Sequence, residues 1–251
     1  MERISAIMED TANDGFYLYR NIRTFGRRAL HAERQLELLK ASAREFAGSE
    51  PQVTAEETER AIVALLTDKG YPDSMPAWVT LRYYLSGRME IVGREVLPCR
   101  QRGLRLVYPR AAVVMWDVPF GCEWSSLSLS AAAAAQVQAA HAERGVRAVI
   151  RCGTDGVIAS AGDAPLFVVT DYTVVTPLAQ PLSDEFETAA AAIADAGLPL
   201  ERRDITVDML DTADEVFCCD ARGLTAFSGC GGRAYMHVLA ERVGNRLSAY
   251  L

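Results

Sequence analysis

Two apolar runs separated by a short turn constrain the fold of the first half of the chain most strongly. Residues 78–85 and 89–96 are rich in apolar side chains, and Ser86-Gly87-Arg88 separates them. Short runs with aromatic and β-branched residues on both sides of a glycine-containing turn are typical of a β-hairpin. The sequence therefore predicts an antiparallel strand pair, followed by strands at 104–108 and 112–116.

Two helices are predicted before this hairpin. Residues 32–46 have apolar side chains at helical spacing on one face. Thr54 followed three residues later by Glu57 is a capping-box pattern, which predicts that a second helix begins there. We therefore expect residues 1–116 to form a first domain of mixed sheet and helix.

The second half of the chain is predicted to be a separate domain that is rich in strands. Residues 117–126 contain Pro and Gly with little periodicity, so we interpret them as an interdomain connection. Residues 127–251 then alternate short apolar runs with helical stretches. Helices are expected at 128–143, 183–196, 206–210 and from about residue 235, with strands at 148–151, 157–160, 166–170, 173–176 and within 215–227. The fold class expected is α/β, in an α+β arrangement of two domains.

Composition excludes several classes of function. Half of the 251 residues are apolar, 24% are charged and the formal net charge is −7. An acidic chain has no general attraction to nucleic acid or to an anionic membrane. Since no apolar stretch approaches the roughly 20 residues that span a bilayer, and the N-terminal residues lack a signal-peptide core, we expect a cytoplasmic protein.

Cysteine and histidine spacing does not predict a metal site. The six cysteines include no C-x-x-C pair, and the three histidines are far apart in sequence. Cys218 and Cys219 would point to opposite faces of a strand, so they would not chelate one ion together. Buried thiols are the expected role for the cysteines.

The most specific motif lies near the C-terminal end. Residues 212–225 read Thr-Ala-Asp-Glu-Val-Phe-Cys-Cys-Asp-Ala-Arg-Gly-Leu-Thr. This resembles the A-D-E-V-F segment of the class IV pyridoxal-phosphate aminotransferases, a family that includes branched-chain and D-amino-acid aminotransferases and aminodeoxychorismate lyase. Other segments agree with the family in order and spacing: Asp14-Gly15, residues 32–43, Leu127-Ser-Leu-Ser130, residues 155–167 and Thr176-Pro177. The resemblance implies the fold of that family, with a mixed-sheet N-terminal domain, a strand-rich C-terminal domain, an interdomain cleft and a homodimer.

The lysine that forms the Schiff base in that family is missing. The resemblance places Leu127 at its position, and the whole chain has only Lys40 and Lys69. A pyridoxal-phosphate transaminase needs a lysine amine to hold the cofactor and to move the proton between substrate and cofactor. We therefore expect a divergent member without the usual catalysis, in which both lysines are solvated charges.

Other cofactor contacts implied by the resemblance are missing as well. Ala159 matches the acidic residue that pairs with the pyridine nitrogen, and Leu38 matches an arginine that neutralises the phosphate. After Thr176-Pro177 the chain reaches Ser183-Asp184-Glu185, whose carboxylates would repel a phosphate although Ser183 can cap the helix. Asp220 stands where a small hydroxyl residue donates to the phosphate. We therefore expect no cofactor.

The resemblance also indicates which residues line the cleft. The candidates are Arg82, Leu127, Ala159, Asp220, Arg222 and Thr225. Arg82 and Arg222 are able to hold a carboxylate bidentately. Ion-pair or solvent partners are the favoured explanation for both arginines, and Asp220 with Arg222 is equally explained as a structural ion pair. Ser228-Gly-Cys-Gly-Gly232 indicates either an anion-binding run of backbone N–H groups or a turn.

Three functions remain open from the sequence. The first is a homologue without catalysis that acts as a dimeric binding or scaffold protein. The second is a cofactor-independent enzyme acting on a small carboxylate or amino acid in the same interdomain cleft. The third is a genuine pyridoxal-phosphate aminotransferase or lyase, which would require Lys40 or Lys69 to reach the cofactor.

Overall fold

The computed structural model describes residues 17–73, 75–96, 108–115, 121–122, 125–127, 139–140, 145–178, 183–247 and 249. The chain forms two compact units. Unit 1 comprises Met1–Val96 and Pro119–Ala131, and unit 2 comprises Leu97–Val118 and Ala132–Leu251. None of the described helices is both long and apolar enough to cross a lipid bilayer.

Strands outnumber helices among the described residues. The strands are β1 (Tyr17–Phe25), β2 (Arg28–Ala29), β3 (Pro76–Tyr84), β4 (Met89–Val96), β5 (Arg110–Met115), β6 (Gly121–Cys122), β7 (Ser125–Leu127), β8 (Val146–Cys152), β9 (Ile158–Ala161), β10 (Leu166–Thr170), β11 (Thr173–Pro177), β12 (Leu200–Arg203), β13 (Glu215–Asp220), β14 (Gly223–Ala226), β15 (Gly229–Cys230) and β16 (Arg233–Ala234). The helices are α1 (Ala32–Ala47), α2 (Ala55–Asp68), α3 (Asp184–Asp195), α4 (Val207–Thr212) and α5 (Val238–Leu247).

Unit 1 contains one sheet with strand order β4-β3-β1-β7-β6, and β2 pairs with β1 at its side. Strands β1, β3 and β4 are antiparallel neighbours. One face of the sheet, with Leu18, Ile22 and Leu81, packs with residues of α1 and α2 into a single core. Alternate residues of a strand point to the same face, so this core accounts for the apolar alternation in β1.

The two predicted features of unit 1 with the clearest local signals are confirmed. The Thr54 side chain accepts a hydrogen bond from the Glu57 backbone, and the Glu57 side chain accepts one from the Thr54 backbone, which is a complete capping box at the start of α2. The β3–β4 turn is closed by the Tyr84 N–H, which donates to the Arg88 carbonyl over 2.9 Å. Gly87 has φ +86° in this turn, a conformation that glycine adopts without steric cost.

Unit 2 contains two five-stranded sheets, in the orders β12-β11-β10-β13-β14 and β16-β15-β5-β8-β9. Strands β10 and β13 are buried on both faces. Phe167 and Phe217 point to one side and pack with α3 and α5. Val168 and Val216 point to the other side, into a core shared with Ile150 of the second sheet. Burial on both faces explains why β10 and β13 are continuous apolar runs rather than alternating ones.

Cys218 and Cys219 confirm the expected alternation within β13. Cys218 belongs to the core between the two sheets, and Cys219 belongs to the core beneath α3 and α5. Both side chains are buried, and neither forms a disulfide. They therefore pack as small apolar side chains on opposite faces of one strand.

The expected assignment of the strand near residue 112 to the first domain is wrong. Strand β5 pairs in parallel with β8 and with β15, so it is part of unit 2. The predicted division into 1–116, 117–126 and 127–251 otherwise stays a prediction. The predicted strand at 104–108 and the predicted helix at 128–143 lie outside the described residues except for Tyr108 and residues 139–140, as does most of 117–126.

Candidate functional site

Strand β7 contains Leu127, the position at which the family resemblance implies a lysine. It pairs antiparallel with β1, with Leu127 opposite Leu18 and Ser126 opposite Tyr19. The three residues of β7 are Ser125, Ser126 and Leu127. A shift of one or two residues along this strand therefore brings no amine into the position.

The two lysines of the chain both lie on the helical side of unit 1. The Lys40 ammonium pairs with the Glu37 carboxylate on α1 over 3.3 Å, and its side chain is only 18% exposed. Lys40 is thus less solvated than expected. Lys69 is exposed after the end of α2, as expected, and its alkyl chain lies beside Gly93. Helix α1 also lies against β6 and β7, so Lys40 is the lysine whose helix contacts the Leu127 strand.

Ala159 lies on β9 of unit 2 and is partly buried. The polar groups beside it belong to its neighbours. The Ser160 hydroxyl donates to the Gly162 carbonyl over 2.8 Å, and the Arg151 guanidinium donates to the same carbonyl. Arg151 is a buried arginine that sequence reasoning missed, and its only signal was a charge at the end of an apolar strand pattern. The polar groups next to Ala159 are therefore the Ser160 hydroxyl and the buried Arg151 guanidinium of the neighbouring strand β8.

Asp220 and Arg222 form a compact ion pair at the β13–β14 turn. One Asp220 oxygen accepts the Arg222 backbone N–H over 2.8 Å, and the other accepts the Arg222 Nε–H over 2.8 Å and an Nη2–H. Burial lowers the pKa of the Arg222 guanidinium. The Asp220 carboxylate acts in the opposite direction through its charge and its hydrogen bonds, as do Cys218 and Asp163, and together they raise the pKa. The carboxylate thus closes the turn and holds the arginine at once.

Thr225 lies on the strand that follows this turn. It is opposite Cys218 in the β13–β14 pair and is buried. Asp220, Arg222 and Thr225 are therefore brought together by one hairpin of unit 2. Arg82 and Leu127 belong to unit 1.

Arg82 lies on β3 among aromatic and acidic side chains. Its Nη1 is 3.4 Å from Glu90 Oε2, which also accepts the Tyr84 hydroxyl over 2.7 Å. The guanidinium carbon lies 4.8 Å from the centre of the Tyr17 ring, a cation–π distance. Burial opposes the charge of Arg82, but a hydrogen bond with Tyr84 and the electrostatic attraction of Tyr17, Tyr84 and Glu90 raise its pKa. Its buried Nε has no hydrogen-bond partner among the described residues.

The start of α3 carries negative charge. Ser183 accepts a hydrogen bond from the Phe186 N–H over 3.2 Å, which confirms the predicted cap. Asp184, Glu185 and Glu187 occupy the first turn of the helix. These carboxylates interact favourably with the positive end of the helix dipole, and their negative charge would repel an anionic ligand there.

The glycine-rich segment at 228–232 is a hairpin turn. Strands β15 and β16 pair with Gly229 opposite Ala234 and Cys230 opposite Arg233, and Gly231 has φ +54°. The Gly231 carbonyl accepts a hydrogen bond from Arg110 over 2.5 Å. Among the described residues, no group of three or more His, Cys, Asp or Glu side chains is placed to hold a metal ion.

A family model for class IV amino-transferases matches residues 18–226. The chain is also similar in fold to solved structures, at sequence identities below 25%. A branched-chain aminotransferase of Thermoproteus uzoniensis, solved with norvaline, has a TM-score of 0.70 at 20% identity, covering 96% of this chain and 91% of its own. An aminotransferase of Brucella abortus bound to pyridoxal phosphate has a TM-score of 0.72 at 16% identity, with coverages of 93% and 88%. A fold IV transaminase of Curtobacterium pusillum has a TM-score of 0.70 at 21% identity, with coverages of 94% and 87%. No curated protein sequence matches the chain.

Proposed function

Because this chain belongs to the class IV aminotransferase family, we propose that it keeps the family fold, lacks the pyridoxal-phosphate chemistry and acts as a dimeric binding or scaffold protein. The observation that carries this proposal is the distribution of lysines. Lys40 and Lys69 are the only two in the chain, and β7 offers two serines and a leucine where the family lysine is expected. Without that amine, the cofactor has no covalent anchor and the reaction has no base in its usual place.

The surroundings of the expected cofactor contacts support the same proposal. Leu38 is a buried apolar side chain, so it provides no charge for a phosphate. Ala159 has no group that could hold a proton on a pyridine nitrogen. The Asp220 carboxylate is engaged by Arg222, and the first turn of α3 is acidic. We infer that these residues do not fit pyridoxal phosphate.

A second candidate function is a cofactor-independent enzyme acting on a small carboxylate or amino acid. Arg82 is the residue that favours it. Its guanidinium has one ion pair, at 3.4 Å, and a buried Nε without a described hydrogen-bond partner. A bound carboxylate would satisfy such a group, because arginine binds carboxylates through two parallel hydrogen bonds. The ion pair of Arg222 with Asp220 makes that second arginine less suited to the role.

The proposal is tested by isolating the protein from cells grown with excess pyridoxine. We expect protein without a bound-cofactor absorption band and with the mass of a dimer in analytical ultracentrifugation. A dimer that retains one pyridoxal phosphate per chain would contradict the loss of cofactor chemistry. A monomer would contradict the proposed assembly. Turnover of a small carboxylate by cofactor-free protein, abolished by Arg82→Gln, would establish the second candidate.

A further inference from the structure

Unit 2 contains a cavity that none of the family contacts explains. Its volume is about 420 Å³, and it lies among the first residues of β5, helix α4 and the β15–β16 turn. The apolar part of its wall comes from Ala111, Ala112, Val113, Val146, Val207 and Leu210. Pockets that bind small molecules are typically apolar with a few polar groups that fix orientation, and this volume is near the lower end of their range.

Two opposite charges line the same cavity. Arg110 starts β5, and Asp211 is an exposed residue near the end of α4. The described contacts include no ion pair between them. Arg110 donates one Nη2–H to the Gly231 carbonyl, whereas a guanidinium has five N–H donors in all. The cavity therefore presents a cation with donors to spare and a carboxylate, both at an apolar wall.

The wall that carries Asp211 is held in place by hydrogen bonds to the β15–β16 hairpin. The Tyr235 hydroxyl donates to the Leu210 carbonyl over 3.0 Å, and Arg233 donates to the Ala213 carbonyl over 3.2 Å. These bonds satisfy carbonyl groups at the end of α4, which the helix itself leaves without partners. A ligand would meet charges that are already positioned, which lowers the entropic cost of binding.

Cys230 also lines the cavity, but its thiol is not reactive. Cys230 is only 6% exposed, and burial raises its pKa, although hydrogen bonds from the Val113 and Gly231 backbone act in the opposite direction. The neutral thiol is a poor nucleophile, because the thiolate is the reactive form. Cys230 therefore contributes a small polarizable surface.

The cavity is separate from the strand positions at which the family resemblance implies a cofactor. Its lining residues, which run along β5 from Arg110 to Val113, include none of the positions matched to cofactor contacts: Leu38, Leu127, Ala159 and Asp220. The cavity thus stands independently of the proposed loss of cofactor chemistry.

We propose that this cavity binds a small zwitterion that joins a carboxylate and a protonated amine to a short apolar chain. The carboxylate pairs with Arg110, the amine with Asp211, and the chain contacts Val113, Val146 and Leu210. A purely anionic ligand would meet the Asp211 carboxylate, and a purely cationic one would meet the Arg110 guanidinium. One ligand that carries both charges satisfies both groups.

The test is isothermal titration of the full chain with L-leucine and two analogues that each lack one charge, 4-methylpentanoate and 3-methylbutylamine. We expect L-leucine to bind more tightly than either analogue. Arg110→Gln should weaken L-leucine binding by about tenfold or more, since charge-assisted hydrogen bonds are lost. Asp211→Asn should weaken L-leucine binding similarly but leave 4-methylpentanoate binding unchanged or stronger, because a like charge is removed.

Matched controls separate a local effect from misfolding. Asp208→Asn changes an exposed carboxylate on the same helix that does not line the cavity, and Arg28→Gln changes an exposed arginine of unit 1. Both should leave L-leucine affinity within about twofold, and all variants should keep the wild-type melting temperature within a few degrees.

Two results would overturn the proposal. One is the absence of any L-leucine binding in the titration up to about 10 mM. The other is L-leucine binding that neither Arg110→Gln nor Asp211→Asn weakens. Neither result bears on whether the protein forms a pyridoxal-phosphate adduct, so failure here is distinct from failure of the proposed function.

Discussion

The Asp220 carboxylate accepts hydrogen bonds from both the backbone N–H and the guanidinium of Arg222. One carboxylate oxygen closes the β13–β14 turn by accepting the Arg222 backbone N–H, and the other accepts the guanidinium. Short Asp side chains commonly accept a backbone N–H two residues ahead, which stabilises a turn. The Asp220 carboxylate and the Arg222 guanidinium are therefore each other's ion-pair partner at this turn. This pairing is a structural reason for an acidic residue at position 220 and a basic residue at position 222.

The first prediction concerns this ion pair. Asp220→Ala should lower the free energy of unfolding by about 1–3 kcal/mol, because it leaves a partly buried guanidinium without its carboxylate. Asp220→Ala combined with Arg222→Met should recover part of that loss, since the orphaned charge is gone. Urea unfolding at pH 7 of the four proteins of this double-mutant cycle gives the coupling energy directly.

The exposed pair Glu201–Arg203 is the matched control for this cycle. Its closest atoms are 3.9 Å apart, and both side chains are more than half exposed. Solvent-exposed pairs typically contribute about 0–1 kcal/mol. A coupling energy for Asp220 and Arg222 no larger than that of the control pair would show that the pair does not stabilise the hairpin.

The second prediction concerns Glu215, the glutamate of the A-D-E-V-F segment. Its buried carboxylate accepts the backbone N–H groups of Leu239 and Ala240, both over 2.8 Å, at the start of α5. Glu215→Ala should lower the free energy of unfolding by about 2–3 kcal/mol, because two buried N–H donors lose their acceptor. Glu215→Gln keeps one acceptor oxygen and should cost less. Equal losses for Ala and Gln in urea unfolding would contradict this capping role.

The third prediction uses two glycines of one turn. A Cβ at Gly229 would lie 2.3 Å from the Arg233 carbonyl oxygen, whereas a Cβ at Gly232 would meet no atom within 4 Å. Gly229→Ala should lower the free energy of unfolding by about 1–3 kcal/mol, since backbone must shift to make room. Gly232→Ala should be neutral within about 0.5 kcal/mol. Similar stability of the two variants in thermal melts would contradict the close approach of β15 and β16.

Local sequence patterns were sufficient to predict helices α1 to α5 and the first hairpin. The capping box at Thr54 and the serine cap at Ser183 involve residues three apart, so their signals are contained in a few positions. Strand β5 was assigned to the wrong domain because its partners are distant in sequence. It pairs with β8, which starts at Val146, and with β15, which starts at Gly229. No local pattern indicates which of two sheets a strand joins.

The candidate sites could likewise be predicted only where their residues are close in sequence. Asp220 and Arg222 are two residues apart, so the alternative of an internal ion pair was evident from the sequence. Arg110 and Asp211 line one cavity although about a hundred residues separate them, and no motif connected them. Arg151 was overlooked because a single arginine in a strand pattern is usually exposed. The role of Leu127 stays a prediction from resemblance.

The fourth prediction concerns the pH dependence around Glu90. The Tyr84 hydroxyl donates to the Glu90 carboxylate over 2.7 Å and, with the nearby Arg82 and Arg88, holds the Glu90 pKa below its usual value. Tyr84→Phe should therefore raise the Glu90 pKa toward that value. A carbon-detected NMR titration of the side-chain carboxyl groups measures it. The Glu57 pKa, which is lowered by hydrogen bonds from Thr54, should stay unchanged and serves as the internal control.

The sign of the accompanying stability change follows from this lowered pKa. A carboxyl group whose pKa is lower in the folded state stabilises the fold fully above its unfolded pKa of about 4.3 and loses that contribution as the pH falls through the folded value. The difference in stability between wild type and Tyr84→Phe should therefore be largest above about pH 5 and shrink in acid. A difference that grows as the pH falls would contradict the assignment.

The central claim is that no lysine of this chain serves as the anchor of pyridoxal phosphate. It is tested by incubating the protein with pyridoxal phosphate, reducing with borohydride and mapping pyridoxyl-lysine by mass spectrometry, alongside Lys40→Met and Lys69→Met variants. We predict sparse labelling without a bound-cofactor absorption band, lowered more by Lys69→Met than by Lys40→Met, because Lys69 is the more exposed lysine. One pyridoxyl group per chain on Lys40, lost in Lys40→Met and retained in Lys69→Met, would contradict the claim and indicate an active aminotransferase or lyase.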